Sequence, residues 1–211
     1  MRPSIIALTG LPGTGKTGLG TSLYPHLSRD FAYLDIDTLT QPLVRSALEV
    51  SGMTLAAADA SGALRALRDA QYACLWNQVR ELVSFQRSVV VVAPMTHELE
   101  DPPAFRSVVA SLRPARFVLV RTHASPRVVR TRLEQRRDFL DELRLSRWNL
   151  DLHRYERRAP LPVHGLDLDT STQPPRVLAE RVLAWLRAQL AGSERPDDSQ
   201  AVRSGPARIR A

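Results

Sequence analysis

Apolar residues fall along this chain in two rhythms, short unbroken runs and longer stretches spaced by three and four positions. An unbroken run marks a strand covered on both faces of a parallel sheet, and three-to-four spacing marks a helix with one buried stripe. Ser4 to Thr9 (SIIALT) is the first run, closed by Gly10, and Lys16 to Leu27 then reads as a helix. Ala32 to Ile36 predicts a second strand and Leu39 to Val50 an amphipathic helix, with Gly52 to Ser61 as a connector. Between Ala63 and Phe85, positions such as Leu67, Cys74, Leu75 and Val79 predict one long helix, in which Cys74 is a small core residue.

Val89 to Ala93 (VVVVA) is apolar at consecutive positions, as a central strand requires, and Pro94, Pro102 and Pro103 then mark an irregular loop. Phe105 to Leu112 predicts a short helix and Phe117 to Val120 a fourth strand. Pro126 to Arg136 follows as a helix with proline in its first turn and Ser125 as its cap. Asp138 to Tyr155 continues helical, Leu166 to Leu168 is a fifth strand, and Pro175 to Leu190 a final amphipathic helix. Strands alternating with helices predict an α/β fold, a five-stranded parallel sheet with helices on both faces and ligands at the carboxyl ends of the strands. Residues 1–192 read as one domain, and residues 193–211, rich in Ser, Pro, Asp and Arg, as a disordered tail.

Composition narrows the partners. The net charge of +7 and pI near 10.6 suit a nucleic-acid surface, but the charge is spread evenly. The densest stretch, 127–158, interleaves ten arginines with six carboxylates, the pattern of a solvated face, which argues against nucleic acid as primary partner. Of 29 basic residues, Lys16 is the sole lysine, so the compact ammonium at that position answers a specific need. One cysteine excludes an internal disulfide. The first ten residues lack the pattern of a signal peptide and no run is long enough to span a membrane, so the chain reads as cytoplasmic. Nothing in the sequence sets an oligomeric state.

Gly10-Leu11-Pro12-Gly13-Thr14-Gly15-Lys16-Thr17 matches the P-loop pattern in full, with a strand before it and a helix after. Its glycines let successive N–H groups curl around phosphates at a helix N-terminus. Gly10, Gly13, Thr14 and Gly15 are thus candidate nucleotide contacts, with Lys16 reaching the terminal phosphates and Thr17 offering its hydroxyl to Mg²⁺. Asp35 and Asp37 follow the second strand, and alternation predicts that they share a face. Such a pair can hold Mg²⁺ or its waters, and one carboxylate can accept a proton from an attacking hydroxyl. The bland reading makes Asp37 a helix cap and Asp35 an exposed residue.

With the P-loop, this Asp-x-Asp, an Arg-Leu-x-x-x-Arg segment beginning at Arg132 and the late Leu168-Asp169-Thr170-Ser171 in view, residues 4–190 resemble P-loop kinases of the chloramphenicol phosphotransferase and zeta-toxin-like group. Gluconate and adenylylsulfate kinases are more distantly similar. The resemblance implies a nucleotide-kinase-like fold with an arginine lid. It implies that Asp37, in Asp37-Thr38-Leu39, is the catalytic base and Asp35 a metal or water-shell residue. It also implies that Arg132 or Arg136 reaches the phosphates and that the 168–171 turn borders the adenine. The chain departs from many P-loop enzymes after its third strand, where Val92-Ala93-Pro94 lacks a Walker B acid.

Arg45, His97 and Glu98 are candidates for binding the acceptor. The reading that gathers most of these features is an ATP- and Mg²⁺-dependent kinase of a small-molecule hydroxyl. A nucleotide-binding or NTP-hydrolysing regulatory module, suggested by the missing acid, is the alternative, and a kinase of polynucleotide ends a distant third.

Overall fold

The computed structural model describes residues 2–157 and 159–192. The expectation for 193–211 therefore lies outside the described residues. The elements are β1 (Ser4–Thr9), α1 (Lys16–Leu23) with a 3-10 turn at Tyr24–His26, β2 (Phe31–Asp35), α2 (Ile36–Ser51), α3 (Leu55–Ala60), α4 (Ala63–Ser84) and β3 (Ser88–Val92). There follow α5 (Thr96–Glu100), α6 (Pro102–Ser111), β4 (Arg116–His123), α7 (Pro126–Arg136), α8 (Asp141–Ser146), α9 (Trp148–Glu156), β5 (Gly165–Asp169) and α10 (Pro175–Gly192). All five strands are parallel, in the order β2-β3-β1-β4-β5.

The apolar runs explain why β1 and β3 lie inside. Ile5 and Ala7 enter one core with Leu75 and Val79 of α4 and Phe105 of α6, while Ile6 and Leu8 enter a second with Leu19 of α1 and Leu178 and Val182 of α10. Every strand end of the central pair thus opens toward the same edge, where β1 and β3 hand over to loops.

Several expectations need correction. The connector 52–61 contains α3, capped by Thr54, whose hydroxyl accepts the Ala57 N–H at 3.2 Å. Pro102 and Pro103 open α6 behind an Asp101 cap instead of marking a loop, because a helix's first turn needs no proline N–H. The segment 138–155 is two helices broken near Arg147. Ser125 sits at the N-cap of α7 without a side-chain capping bond. Its own N–H instead donates to the Ser171 hydroxyl at 2.9 Å. Strand β4 runs to His123, three residues past the predicted end, because its register with β5 continues through His123↔Asp169; within it Arg121 pairs with Asp167 at 2.5 Å.

Cys74 is exposed. The buried side of α4 passes through Tyr72, Leu75, Trp76, Val79 and Val83, one position off Cys74. No helix among the described residues is long and apolar enough to cross a membrane.

Leu75 is fully buried between α4 and the sheet. Leu75→Ala is expected to destabilise the fold by about 2–5 kcal/mol through lost apolar contact and a residual cavity, measured as a lower midpoint in urea unfolding.

Candidate active site

The cleft begins where β1 gives way to glycine. Gly10 has φ 138, and a Cβ there would overlap the backbone oxygen of Thr122, so only glycine fits between β1 and β4. Its N–H donates to the Pro94 carbonyl at 3.3 Å, as does the Thr9 hydroxyl at 2.7 Å. Gly15, left-handed at φ 89, is the N-cap of α1 and leaves the first helical N–H groups open to a phosphate.

Thr14 is buried, its hydroxyl 2.7 Å from the Leu11 carbonyl and 2.9 Å from the Thr122 hydroxyl. The residue thereby shapes the loop with its side chain. Thr170, after β5, donates its hydroxyl to the Thr14 carbonyl at 2.8 Å and fixes the loop from the other side.

Lys16 donates to the Leu11 carbonyl at 3.0 Å across the loop. Burial pushes its ammonium down to about 8; Asp37 and Asp35 oppose that shift, while Arg144 and Arg136 add to it. Thr17 donates its hydroxyl to Asp35 Oδ2 at 2.9 Å, and Asp35 Oδ1 accepts the Asp37 N–H at 3.0 Å. Asp35 is thus the N-cap of α2, and α2 begins at Ile36, three residues before the predicted start. The two aspartates do not share a strand face, as alternation predicted. Asp37 lies in the first turn of α2 instead, and both still line the cleft with Lys16 and Thr17. Burial raises the Asp35 carboxyl above its ordinary value, against the lowering effect of both hydrogen bonds.

The arginines are organised by a residue the sequence reading missed. Asp141 is fully buried and accepts two bonds from Arg136, at 2.8 and 2.6 Å, and one from Arg144 at 2.8 Å. Both arginines line the phosphate cleft. The Asp141 carboxyl is held below its ordinary value: burial opposes this, but the Arg136 and Arg144 hydrogen bonds outweigh it. Arg132 lines the cleft as well and bridges parts of the site, donating to the Gly13 carbonyl at 3.3 Å, the Thr170 hydroxyl at 3.0 Å and the Thr170 carbonyl at 2.6 Å. The i, i+3 spacing of Asp141 and Arg144 was the signal available in the sequence.

Two acceptor candidates stand apart from the cleft. Arg45 lies 3.7 Å from Asp138 and stacks 4.3 Å over the Phe139 ring, its side chain 47% exposed. His97 is exposed on α5 and lines none of the described clefts. Glu98 pairs with Arg68 at 3.0 Å. Beside the phosphate cleft, of about 200 Å³, lies a second cavity of about 280 Å³, walled by α2, α4 and α8. Asp37 and Arg144 line both.

Residues 5–158 match the model of a family described as an AAA domain. In fold the chain is similar to a provisionally named kinase from Chloroflexus aurantiacus J-10-fl, 19% identical, with a TM-score of 0.62 over 89% of this chain and 97% of that one. It is similar to a sugar kinase from Janibacter sp. HTCC2649, 18% identical, with a TM-score of 0.58 over 90% and 98% of the two chains. A shikimate kinase from Acinetobacter baumannii, in complex with shikimate, is 17% identical, with a TM-score of 0.52 over 89% and 94%. No protein of curated function matches the sequence. At these identities the likeness is one of fold: this is the P-loop kinase fold, as its sheet order and P-loop geometry also show.

The lowered Lys16 ammonium gives a pH dependence with a definite sign. A bound triphosphate favours the charged ammonium and raises its pKa, so binding above about pH 8 must take up a proton. Triphosphate affinity is expected to be flat below about pH 7 and to fall as pH rises through about 8. Calorimetry in buffers of different ionisation enthalpy should register the uptake. Separately, Asp141→Asn leaves Arg136 and Arg144 without their counter-charge and is expected to lower stability by about 3 kcal/mol, read in urea unfolding.

Proposed function

The chain belongs to the AAA-domain family, and from that premise we propose that it is an ATP-dependent phosphotransferase that moves the γ-phosphate to a hydroxyl of a small molecule. An antibiotic, a sugar or a biosynthetic intermediate fits the description. The observation that carries this reading is the position of Asp37, which lines both the phosphate cleft and the cavity beside it. A carboxylate at that junction lies between a nucleotide on the P-loop and an acceptor on the far side.

Lys16 and the N–H groups of the loop hold the triphosphate, and Arg136 and Arg144, pre-set by Asp141, face its terminal end. The acceptor hydroxyl attacks the γ-phosphorus while its proton passes to an Asp37 oxygen, and the bond to the β-phosphate oxygen breaks to release ADP. Charge building on the transferring group falls among cations already in place, so little reorganisation accompanies the step.

Thr17 and Asp35 are hard oxygen donors that suit Mg²⁺, and their 2.9 Å hydrogen bond brings the two together. Among the described residues no group of three or more His, Cys, Asp or Glu side chains could hold a metal alone. Mg²⁺ would therefore be shared between these two residues, the phosphates and water, and when bound it neutralises phosphate charge. Asp35 stands at the end of β2 in register with Val92 of β3, beside the position that lacks a Walker B acid. Its contact with Thr17 supports Asp35 as the replacement.

Lys16→Ala is expected to abolish triphosphate binding. Asp37→Asn is expected to keep ATP affinity within about two-fold and to slow phosphate transfer about 10²–10⁴-fold, the range for loss of a general base. ATP titration paired with single-turnover transfer distinguishes the two. Full transfer by Asp37→Asn would remove the base from this account.

A further inference from the structure

A third and larger cavity, about 1020 Å³, opens on the outer side of the P-loop between the ends of β1 and β4, α5, α9, Arg157 and residues 159–162. It adjoins the cavity beside Asp37: Leu11, Pro94, Thr96, Arg154 and Tyr155 line both. With the nucleotide cleft, of about 200 Å³, it shares only Pro94. A ligand that reaches from Asp37 past Tyr155 would enter this chamber, whose lining meets that of the nucleotide cleft at Pro94.

The charges along this path are arranged unevenly. Near Asp37 every arginine on the wall already faces a carboxylate: Arg68 has Glu98 at 3.0 Å, Arg144 has Asp141 at 2.8 Å and Arg154 has Glu100 at 2.9 Å. Asp37 and Asp151 line the same wall with no ion pair within 4.0 Å among the described residues; the cations that Asp37 acts on, Lys16 and Arg136, line the phosphate cleft instead. A negative group is disfavoured there. In the outer chamber the balance reverses. Arg121 is paired with Asp167 at 2.5 Å and Arg154 with Glu100 at 2.9 Å, but Arg106 and Arg157 have no ion-pair partner among the described residues, and His153 of α9 also lines the chamber. The floor of both parts is apolar, with Leu64, Leu67 and Phe139 inside and Leu99, Leu161 and Pro162 outside.

From this asymmetry, and resting on the phosphotransfer reading, we infer that the acceptor is an elongated amphipathic organic anion. Its hydroxyl end lies at Asp37, its apolar body passes Tyr155 and its anionic end is held by Arg106 and Arg157. Small neutral or carboxylated alcohols that fill only the inner cavity leave the outer chamber to water and gain nothing from its cations. The charge gradient also orients the ligand, because reversing it would bring the anion against Asp37 and Asp151.

The test uses two probes without a transferable hydroxyl, so its failure and a failure of the phosphotransfer reading remain distinct. Anilinonaphthalene sulfonate is an amphipathic anion, and N-phenylnaphthylamine is its neutral counterpart. The full chain is expected to bind the sulfonate saturably at one site, with affinity falling as salt rises. The double variant Arg106→Ala/Arg157→Ala is expected to bind it about five-fold more weakly while its affinity for the neutral probe and for ATP stays unchanged. Equal weakening of both probes, unchanged sulfonate binding in the variant, no saturable binding to the full chain, or stoichiometric displacement by ATP would each overturn the inference.

Discussion

The carboxylate of Asp35 holds three separate parts of the site in one arrangement. One oxygen receives the Thr17 hydroxyl from α1 and the other caps α2 through the Asp37 N–H. Its own backbone ends β2 in register with β3. Because the cap is Asp35, helix begins at once after the strand, and the first turn carries Asp37 back toward Lys16. A cap of this kind is worth about 1 kcal/mol to the helix. Its larger consequence is positional, since a start three residues later would leave Asp37 in extended backbone away from the phosphate cleft.

Around this fixed point the cleft gathers Lys16, Arg132, Arg136 and Arg144 against Asp35 and Asp37. Burial holds the Lys16 ammonium well below an ordinary lysine; Asp37 and Asp35 oppose that shift, and Arg144 and Arg136 add to it. Asp141 restrains the two arginines and sets their direction, while Arg132 is committed to the P-loop and Thr170. The protein thus orients its cations before any phosphate arrives, which is the condition under which electrostatic stabilisation costs least reorganisation.

Much of this was legible in the sequence. The P-loop is readable because its function is a spacing, and β1 and β3 because strands covered on both faces must be apolar at every position. Asp37 was singled out through its neighbours Thr38 and Leu39 and does line the cleft, although the reason, the cap at Asp35, was not visible. Asp141 was lost among interleaved charges. It meets Arg136 only because α7 ends with Arg137 in a left-handed conformation, φ 49, which turns the chain back. Arg45 and His97 failed for a related reason: polarity marks a residue as available, but the direction of a short helix or a neighbouring ring such as Phe139 decides where it points. Cys74 shows the limit of periodicity, since the buried side of α4 shifts as the helix passes from the α2–α3 layer at Leu64 and Leu67 onto the sheet at Leu75.

The central claim is that phosphate leaves the nucleotide for an organic hydroxyl held beside Asp37. The most direct measurement incubates the protein with ATP and Mg²⁺ across a panel of hydroxyl compounds and follows the products by mass spectrometry. The account predicts at least one acceptor gaining the mass of a single phosphate, in step with ADP release. Tight ATP binding with only inorganic phosphate released, and no acceptor modified across a broad panel, would contradict it and favour a regulatory nucleotide switch.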